Sequence, residues 1–257
     1  SPAEASVRGK PLQDLVGADV FPEFVAQMAG YMKSPQVQPG LHALIDAGGG
    51  TLDVVTFIVH KVHDEDTFPF LVPNISPLGT HGLIQNRLVG ISNASSLEPV
   101  DELAPIDEAH AFAAKTGIDV HHVLERDALF SRAISTAVST VFNTTKTRRY
   151  RLSDAWRVGV RTFFTGGGSS VKLYGTALTT AAVPSAQGLL LQMLPIHPRL
   201  DDFPGDAIGY QRISVACGLA QDSFSLGRIV PAKEVSDDCA GRLPMAVRAD
   251  RDELYSK

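Results

Sequence analysis

The sequence has few cysteines, no long apolar run and no excess of positive charge, and each of these absences excludes a class of protein. Its two cysteines, Cys217 and Cys239, cannot by themselves form a disulfide framework or a four-ligand zinc site. We therefore predict a reducing, cytoplasmic setting. No stretch approaches the roughly 18 apolar residues of a membrane span, and the first residues lack the pattern of a signal peptide, so we expect no membrane partner.

The charge balance argues against a nucleic-acid partner. The formal net charge is −5, and the basic residues are scattered apart from one short cluster. That cluster is predicted to be the solvated end of a helix and contains Lys146, Arg148, Arg149 and Arg151. The eight histidines show no ligand spacing, so we predict no histidine metal site. A hydrophobic content of 44% indicates a globular core.

Apolar periodicity predicts alternating strands and helices. A helix is predicted over 22–32, and "LHALIDA" and "TLDVVTFIVHKV" are typical of an antiparallel hairpin turning on three glycines. A short strand and a loop are predicted within "FPFLVPNISPLGTHG", and further strands at "WRVGVRTFFT" and "GLLLQMLPI". Further helices are predicted at "LIQNRLVG", "PIDEAHAFAAKTG", 124–145, "VKLYGTALTTAA" and "AIGYQRISVACGLAQDS". The apolar stripe of the 124–145 helix is predicted to contain Leu129, Ile134, Val138, Val141 and Phe142.

The first glycine loop, 48–50, has two interpretations. Its amides could face phosphate oxygens because no side chain stands in the way, or it could be only a tight hairpin turn. It matches neither a P-loop nor a dinucleotide fingerprint. Asp46, which ends the first strand, could order a metal-bound or attacking water, or could bind the amides of its own turn. Thr51 adds a hydroxyl donor, and Asp53 begins the return strand.

A second glycine loop, 166–168, follows the strand "WRVGVRTFFT" and precedes a helix. Glycines at this position would let a flat ligand such as a purine lie close to the backbone. Ser169 or Ser170 could cap the helix or bind the ligand. Taken alone, the loop is more often a plain strand-to-helix turn.

Five segments, taken in order, resemble a known family: "FPEFVAQMAGY", "LIDAGGGTLDV", "PLGTHGLIQNRL", "TFFTGGGSSV" and "RISVACGLA". The set resembles the second half of the nucleotide-binding fold shared by actin, sugar kinases and the DnaK-type heat-shock chaperones, and bacterial actin-like filament proteins have similar loops. The resemblance covers about residues 20–220, and its specificity lies in the ordered set. It implies an α/β fold, namely a ribonuclease H-like lobe of the actin-like ATPase fold, with a mixed sheet, flanking helices and a reduced helical subdomain.

The resemblance also implies domain boundaries and residue roles. We expect the lobe at 20–82 and 129–234, an inserted helical subdomain at 83–128, an N-terminal extension at 1–19 and a C-terminal tail at 235–257. Asp46 would position the attacking water, directly or through Mg²⁺, and Glu23 would lie near the waters of that ion. The β and γ phosphates would contact Gly48, Gly49, Gly50 and Thr51. Adenosine would contact Gly166, Gly167, Gly168 and Ser169. A linking helix would cross closely at the small residues Ala216 and Gly218.

Two departures from the family limit what the resemblance implies. The chaperones have an acidic, glycine-rich stretch where this chain has "LGTHGLIQNRL", with His81 and Gln85 and no carboxylate. The family's first lobe carries its own phosphate loop, and the residues before 20 have no room for it. The chain also begins at Ser1 rather than methionine, which indicates a piece of something longer.

The resulting hypothesis is an ATP-binding lobe that uses ATP or ADP with Mg²⁺ and cannot hydrolyse ATP without an upstream first lobe. Its partners would be nucleotide, that first lobe, and a further protein or a second copy of itself. One alternative is a non-catalytic interaction or filament-assembly module that keeps the fold and uses 83–128 to bind a partner. Another is a small-molecule kinase, in which a carboxylate would act as the base toward a substrate hydroxyl.

Overall fold

The computed structural model describes residues 6–7, 10–11, 23–62, 65–92, 105–200, 202–220, 228–230 and 232–235. The strands are β1 (Ser6–Val7), β2 (Lys10–Pro11), β3 (Gly40–Ala47), β4 (Leu52–Val62), β5 (Glu65–Ser76), β6 (Val160–Thr165), β7 (Leu189–Gln192) and β8 (Arg228–Val230). The helices are α1 (Glu23–Met32), α2 (Thr80–Leu88), α3 (Ala109–Thr116), α4 (Val120–Thr144), α5 (Ala155–Val158), α6 (Lys172–Thr180) and α7 (Ala207–Leu219). A π-helical turn, Thr145–Arg149, follows α4, and a 3-10 turn, Gly167–Ser170, follows β6.

The main sheet has the strand order β7-β6-β3-β4-β5-β8. β3, β4 and β5 form an antiparallel meander, β6 lies parallel to β3 on its other side, and β7 lies parallel to β6. β8 adds a short strand parallel to β5. The ribonuclease H-like lobe of the actin-like ATPase fold has this topology. Its first three strands form an antiparallel meander, and its last two strands add in parallel beside the first strand. The fold class implied by the resemblance is therefore confirmed.

The centre of the sheet is buried on both faces, as its sequence requires. Residues 41–45 of β3 are all buried, which is typical of a strand with a parallel neighbour. Alternate residues of β3 join α4 and α6 in one core cluster, while the intervening His42 stacks between Phe57 and Phe163 on the other face. This alternation places Asp46, four residues after His42, on the face opposite α4.

The stripe of α4 differs from the predicted one at a single residue. Ile134, Val138, Val141 and Phe142 are buried as predicted, but Leu129 is 43% exposed and the prediction for it was wrong. Phe130 takes its place because it lies four residues before Ile134, whereas five residues rotate Leu129 away from that stripe.

The basic cluster after α4 is only partly solvated. Arg148 is exposed, as predicted, but Lys146 donates to the Pro184 carbonyl at 2.9 Å and lies over the Trp156 ring. Arg149 donates to the carbonyl of Ala232. The prediction of a wholly solvated helix end was therefore wrong, because these two side chains reach neighbouring segments.

Packing divides the chain into two compact units. One contains Ser1–Val37 with Leu194–Gly227, and the other contains Gln38–Met193 with Arg228–Lys257. In the second unit, α2, α3 and the start of α4 enclose a small core of their own, within the predicted helical subdomain 83–128; it consists of Ile84, Ala109, Phe112, Ala113 and Val123. The predicted extension 1–19, the predicted tail 235–257 and Cys239 lie almost wholly outside the described residues.

Candidate functional site

The first glycine loop is a four-residue turn between β3 and β4. Ala47 pairs with Leu52 at its base, and the Gly48 N–H donates to the Thr51 carbonyl at 2.9 Å. The predicted antiparallel hairpin is therefore confirmed. Its register also places Asp46 directly opposite Asp53, one residue pair further from the turn.

The carbonyl oxygens of this turn bind the N-terminus of α2. The N–H groups of Thr80 and His81 donate to the carbonyls of Gly48 and Gly49 at 3.0 and 2.8 Å. The N–H of Gly79 donates to the Gly50 carbonyl at 3.3 Å. Amides at a helix N-terminus have no partner within the helix, so the turn caps α2 and α2 in return holds the turn.

These hydrogen bonds also fix the direction of the turn's own amides. The C=O and N–H of a trans peptide unit point in opposite directions. Because the three glycine carbonyls point toward α2, the N–H groups of Gly49, Gly50 and Thr51 point away from it, on the other side of the turn. None of these N–H groups donates to another residue that the structure describes. Successive backbone amides turned to one side are an arrangement that binds anions in other proteins.

The three glycines of the turn are not required by its backbone conformation. Two-residue hairpin turns use glycine for its left-handed φ, but Gly48, Gly49 and Gly50 all lie outside that region. A Cβ on Gly50 would meet no atom within 4 Å, and one on Gly48 would come no closer than 3.6 Å to its neighbour. The tight-turn interpretation therefore gives these glycines no role. A Cβ on Gly49 would lie 3.5 Å from Cε1 of His81, which is an ordinary contact distance.

The second glycine loop packs directly against the first. Gly166 has a φ of +83°, and a Cβ on it would collide with the Asp46 carboxylate and lie 2.5 Å from the Ala47 carbonyl oxygen. A Cβ on Gly168 would lie 2.7 Å from the Ala47 Cβ and 3.3 Å from Thr80 Cγ2. Both loops and the start of α2 therefore meet at the end of β3.

The two serines of the second loop do not cap the helix that follows. The Ser169 hydroxyl donates to the Gly166 carbonyl at 2.7 Å, and the Ser170 hydroxyl donates to the Gly167 carbonyl at 3.0 Å. The residue at the N-cap of α6 is Val171, which makes no side-chain cap. Of the two roles predicted for these serines, a helix cap or a ligand contact, the helix cap was wrong, because the 3-10 turn uses both hydroxyls to close itself.

Asp53 was not predicted to be a site residue. Asp46 pairs in register with Asp53 on one side and with Thr165 on the other, so all three side chains share one face of the sheet. Oδ1 of Asp53 is buried and accepts no hydrogen bond from a described residue. Burial raises the pKa of Asp53, and the Thr51 hydroxyl partly offsets this. The spacing of seven residues around the turn could have identified the pair.

A cleft begins where the second loop ends. It has a volume of about 300 Å³ and lies between α3, α4 and α6. Val171, Lys172 and Leu173 form its wall next to the loop, while Ala128 and Ser131 of α4 line the other side.

Glu23 and the predicted linking helix belong to the other compact unit. Glu23 is the exposed first residue of α1. α1 crosses α7 closely, since a Cβ on Gly218 would collide with the backbone of Ala26. Gly218 is thus a crossing residue as predicted, but Ala216 is exposed and the expectation for it was wrong.

The carboxylate pair suits a hydrated cation. In the described part of the chain, no three His, Cys, Asp or Glu side chains lie close enough together to hold a metal ion directly. Mg²⁺ usually keeps several of its waters and binds through one or two carboxylates together with a phosphate. Asp46 and Asp53 beside the turn could provide the carboxylates.

Among the described helices, none is long and apolar enough to cross a membrane.

Comparison with known proteins finds likeness only among solved structures. No protein-family model matches the chain, and no curated protein does. A ParM filament from Clostridium botulinum is 17% identical with a TM-score of 0.41, covering 75% of this chain and 50% of that one. Ta0583, an archaeal actin homolog, is 15% identical with a TM-score of 0.35, covering 77% and 53%. The PilM–PilN complex of type IV pilus biogenesis is 14% identical with a TM-score of 0.39, covering 77% and 50%. The chain thus spans about half the length of these structures.

Proposed function

We propose that this chain, whose sheet has the topology of the ribonuclease H-like lobe of actin-like ATPases, is a nucleotide-binding lobe that grips phosphate with the turn at 48–51. The observation that carries the proposal is the geometry of that turn. Its carbonyls are held by α2, its amides are turned to the other side, and a Cβ on Gly50 would meet no atom within 4 Å. A phosphate group would accept from these amides without displacing any hydrogen bond of the turn.

The remaining residues would contact other parts of the ligand. Asp46 and Asp53 would bind the waters of Mg²⁺. A bound Mg²⁺ ion would neutralise part of the negative charge of the phosphates. Gly166 and Gly168 would bring the second loop close to the ligand, with adenosine along this loop and into the cleft beyond Val171. This arrangement explains why both loops must meet at the end of β3.

Hydrolysis would require groups from outside these segments. Phosphoryl transfer depends on positive charge around the transferred group, and residues 46–53, 77–82 and 165–171 contain no Lys or Arg. Asp46 could align a water for attack, but no guanidinium or ammonium in these segments would stabilise the transition state. We infer that the chain binds ATP or ADP with Mg²⁺ and that turnover needs a first lobe.

Calorimetric titration of the 257-residue chain with ADP and Mg²⁺ tests the proposal, with Gly50→Ala and Gly175→Ala as a matched pair. Both substitutions add a methyl group where no atom lies within 4 Å, and neither position has a left-handed φ, so both variants should fold. We expect Gly50→Ala to weaken binding at least about tenfold, since its methyl lies beside the amide row. Gly175→Ala, on α6, should bind normally.

Adenosine serves as the second ligand in this experiment. It should bind much more weakly than ADP to the unsubstituted chain, because it lacks the phosphates that the turn would hold. Equal affinity of both glycine variants for ADP, or equal affinity of the unsubstituted chain for ADP and adenosine, would overturn the proposal.

A further inference from the structure

A groove on the exposed face of α4 has no role in the proposed nucleotide site. It has a volume of about 540 Å³ and lies between α4 and the end of α6, with Arg132 and Arg148 among its lining residues. The Ser135 hydroxyl donates to the Ala177 carbonyl of α6 at 2.8 Å, which joins the two helices at the groove. The groove lies outside residues 83–128, which the alternative of an interaction module would use to bind a partner.

The charges around this groove are almost all positive. Residues 128–193 contain eight Lys or Arg residues and one acidic residue, Asp154, although the whole chain has a net charge of −5. Asp154 forms an ion pair with Arg157 at 3.6 Å. Arg132 and Arg148 are exposed, and neither forms an ion pair with a residue that the structure describes. A helix dipole accounts for cations in the last turn, but Arg132 lies three turns before the end of α4.

The uncharged side chains along α4 present hydrogen-bond acceptors to the groove. The hydroxyls of Thr136, Thr140 and Thr147 each donate to the carbonyl four residues earlier, at 2.9, 2.8 and 2.7 Å. The side-chain nitrogen of Asn143 donates to the Ser139 carbonyl at 2.8 Å. A hydroxyl or amide whose donor is already bound still has the lone pairs of its oxygen. The groove therefore suits a ligand that brings N–H donors.

The length of the groove matches an extended peptide. Arg132 and Arg148 are sixteen residues apart, which spans at most about 24 Å at the rise of an α-helix. An extended chain advances about 3.3 Å per residue, so two side chains six residues apart lie about 20 Å apart and point to the same side. Glutamates at these two positions would therefore reach both guanidinium groups.

We propose that this groove binds an acidic segment of a partner protein in an extended conformation. The carboxylates of the segment pair with Arg132 and Arg148, and its backbone N–H groups donate to the threonine hydroxyls between them. A lipid phosphate or a nucleic-acid backbone matches the arginines equally well, but its oxygens are acceptors and would face the acceptors of α4. The groove is separate from the turn at 48–51, so the inference does not depend on the function proposed above.

The probe for the test is a blocked seven-residue peptide with glutamate at both ends and serine and alanine alternating between them. NMR shifts of the amides of residues 132–148 and 180–182 report binding in the groove, at low ionic strength because salt screens exposed charges. One matched peptide has glutamine at both ends, and the other is N-methylated at its central residues. We expect each to bind at least about fivefold more weakly, since one lacks the carboxylates and the other lacks the N–H donors.

Substitutions at exposed positions test the two kinds of contact from the side of the protein. Arg132→Gln and Arg148→Gln should each weaken binding of the probe about threefold, and both together about tenfold, because each removes one exposed ion pair. Arg157→Gln, which removes a cation outside the groove lining, is the matched control and should bind normally. Thr140→Val removes one acceptor at nearly constant size and should weaken binding about threefold. Its control is Thr179→Val, outside the groove lining, where the hydroxyl also donates to the preceding turn.

Several results would overturn the proposal. Equal affinity for the probe and for the N-methylated peptide would remove the role of the backbone donors, and equal effects of Arg132→Gln and Arg157→Gln would remove the role of the groove. Tighter binding of phosphatidylglycerol vesicles or of a DNA duplex at these amides would assign the groove to another class of partner. Self-association of the chain that the double arginine variant loses would assign it to a second copy. Absence of any shift with the probe would also overturn the proposal.

Discussion

Asp46 and Asp53 stand directly opposite each other on adjacent strands at the base of the glycine turn. Side chains opposed in this way lie on one face of the sheet, with their Cβ atoms about 5 Å apart. Two carboxylates at that distance repel each other in the absence of a cation. Such a pair is unfavourable for the fold alone, which favours a functional interpretation of both residues.

Replacing Asp46 by Asn removes one of the two opposed carboxylates and keeps the size of the side chain. The free energy of unfolding should stay the same or rise by up to about 1 kcal/mol. In contrast, the part of ADP affinity that depends on Mg²⁺ should be lost. Calorimetry with and without Mg²⁺ measures this, and Asp154→Asn, whose side chain is 91% exposed, is the control. Unchanged Mg²⁺ dependence in Asp46→Asn would contradict the assignment.

Glycine is required at position 166 both by the backbone conformation and by the close packing around it. Two substitutions distinguish these two requirements. Gly166→Ala would strain a φ of +83° and also collide with Asp46. Gly188→Ala would strain a φ of +66° in open space. We expect a loss of about 1 kcal/mol for Gly188→Ala and about 2–4 kcal/mol for Gly166→Ala, measured by urea unfolding. Similar losses at both positions would show that the contacts with Asp46 and Ala47 contribute nothing.

His42 should make the fold sensitive to acid. Burial between two phenylalanines lowers the pKa of His42 to about 4; the hydrogen bond with the Gly40 carbonyl opposes this shift, and the nearby Arg161 adds a smaller lowering. Above pH 6.5 the histidine is neutral in both states and has no effect on stability. As the pH falls from 6.5 to 4, the unfolded chain takes up a proton that the folded chain does not, so stability should fall by about 3 kcal/mol in total.

Urea unfolding between pH 4 and 8 tests this acid sensitivity. His42→Gln should remove most of the slope between pH 6.5 and 4, whatever its absolute stability. His121→Gln, at an exposed position, should keep the slope of the unsubstituted chain. A slope that persists unchanged in His42→Gln would assign the acid sensitivity to other groups.

Arg87 should be the most sensitive position of the small core beside the site. Its guanidinium is 2% exposed, forms two hydrogen bonds with Asp127, donates to the Asp107 carbonyl and lies over the Phe112 ring. Arg87→Met should cost about 3–5 kcal/mol, because it leaves a nearly buried carboxylate without its partner.

The companion variants distinguish a broken ion pair from lost packing. Arg87→Met with Asp127→Leu should recover much of that stability, since no unpaired charge remains. Arg157→Met, which removes a cation that is 80% exposed, should leave thermal unfolding nearly unchanged. If the double variant is less stable than Arg87→Met alone, the ion pair is not the source of the loss.

Local patterns in the sequence were sufficient for most elements of the fold. The hairpin, the helix at the start of "FPEFVAQMAGY" and the long helix α4 follow from periodicity, because neighbouring residues set backbone preference and the buried face. Leu129 shows where this reasoning ends. Periodicity predicted that Leu129 lies on the apolar stripe of a helix. The orientation of that helix relative to the core instead buries Phe130 and exposes Leu129.

The sequence by itself determined that glycine loops follow two strands and that an aspartate precedes the first. Only the tertiary structure decided what the loops do. The carbonyls of residues 48–50 are bound by amides some thirty residues later, and Gly166 lies against Asp46 from a strand far along the chain. Contacts between distant segments leave no periodic trace in the sequence, yet they alone turn the amides of the first loop to one side and bring His81 to its edge.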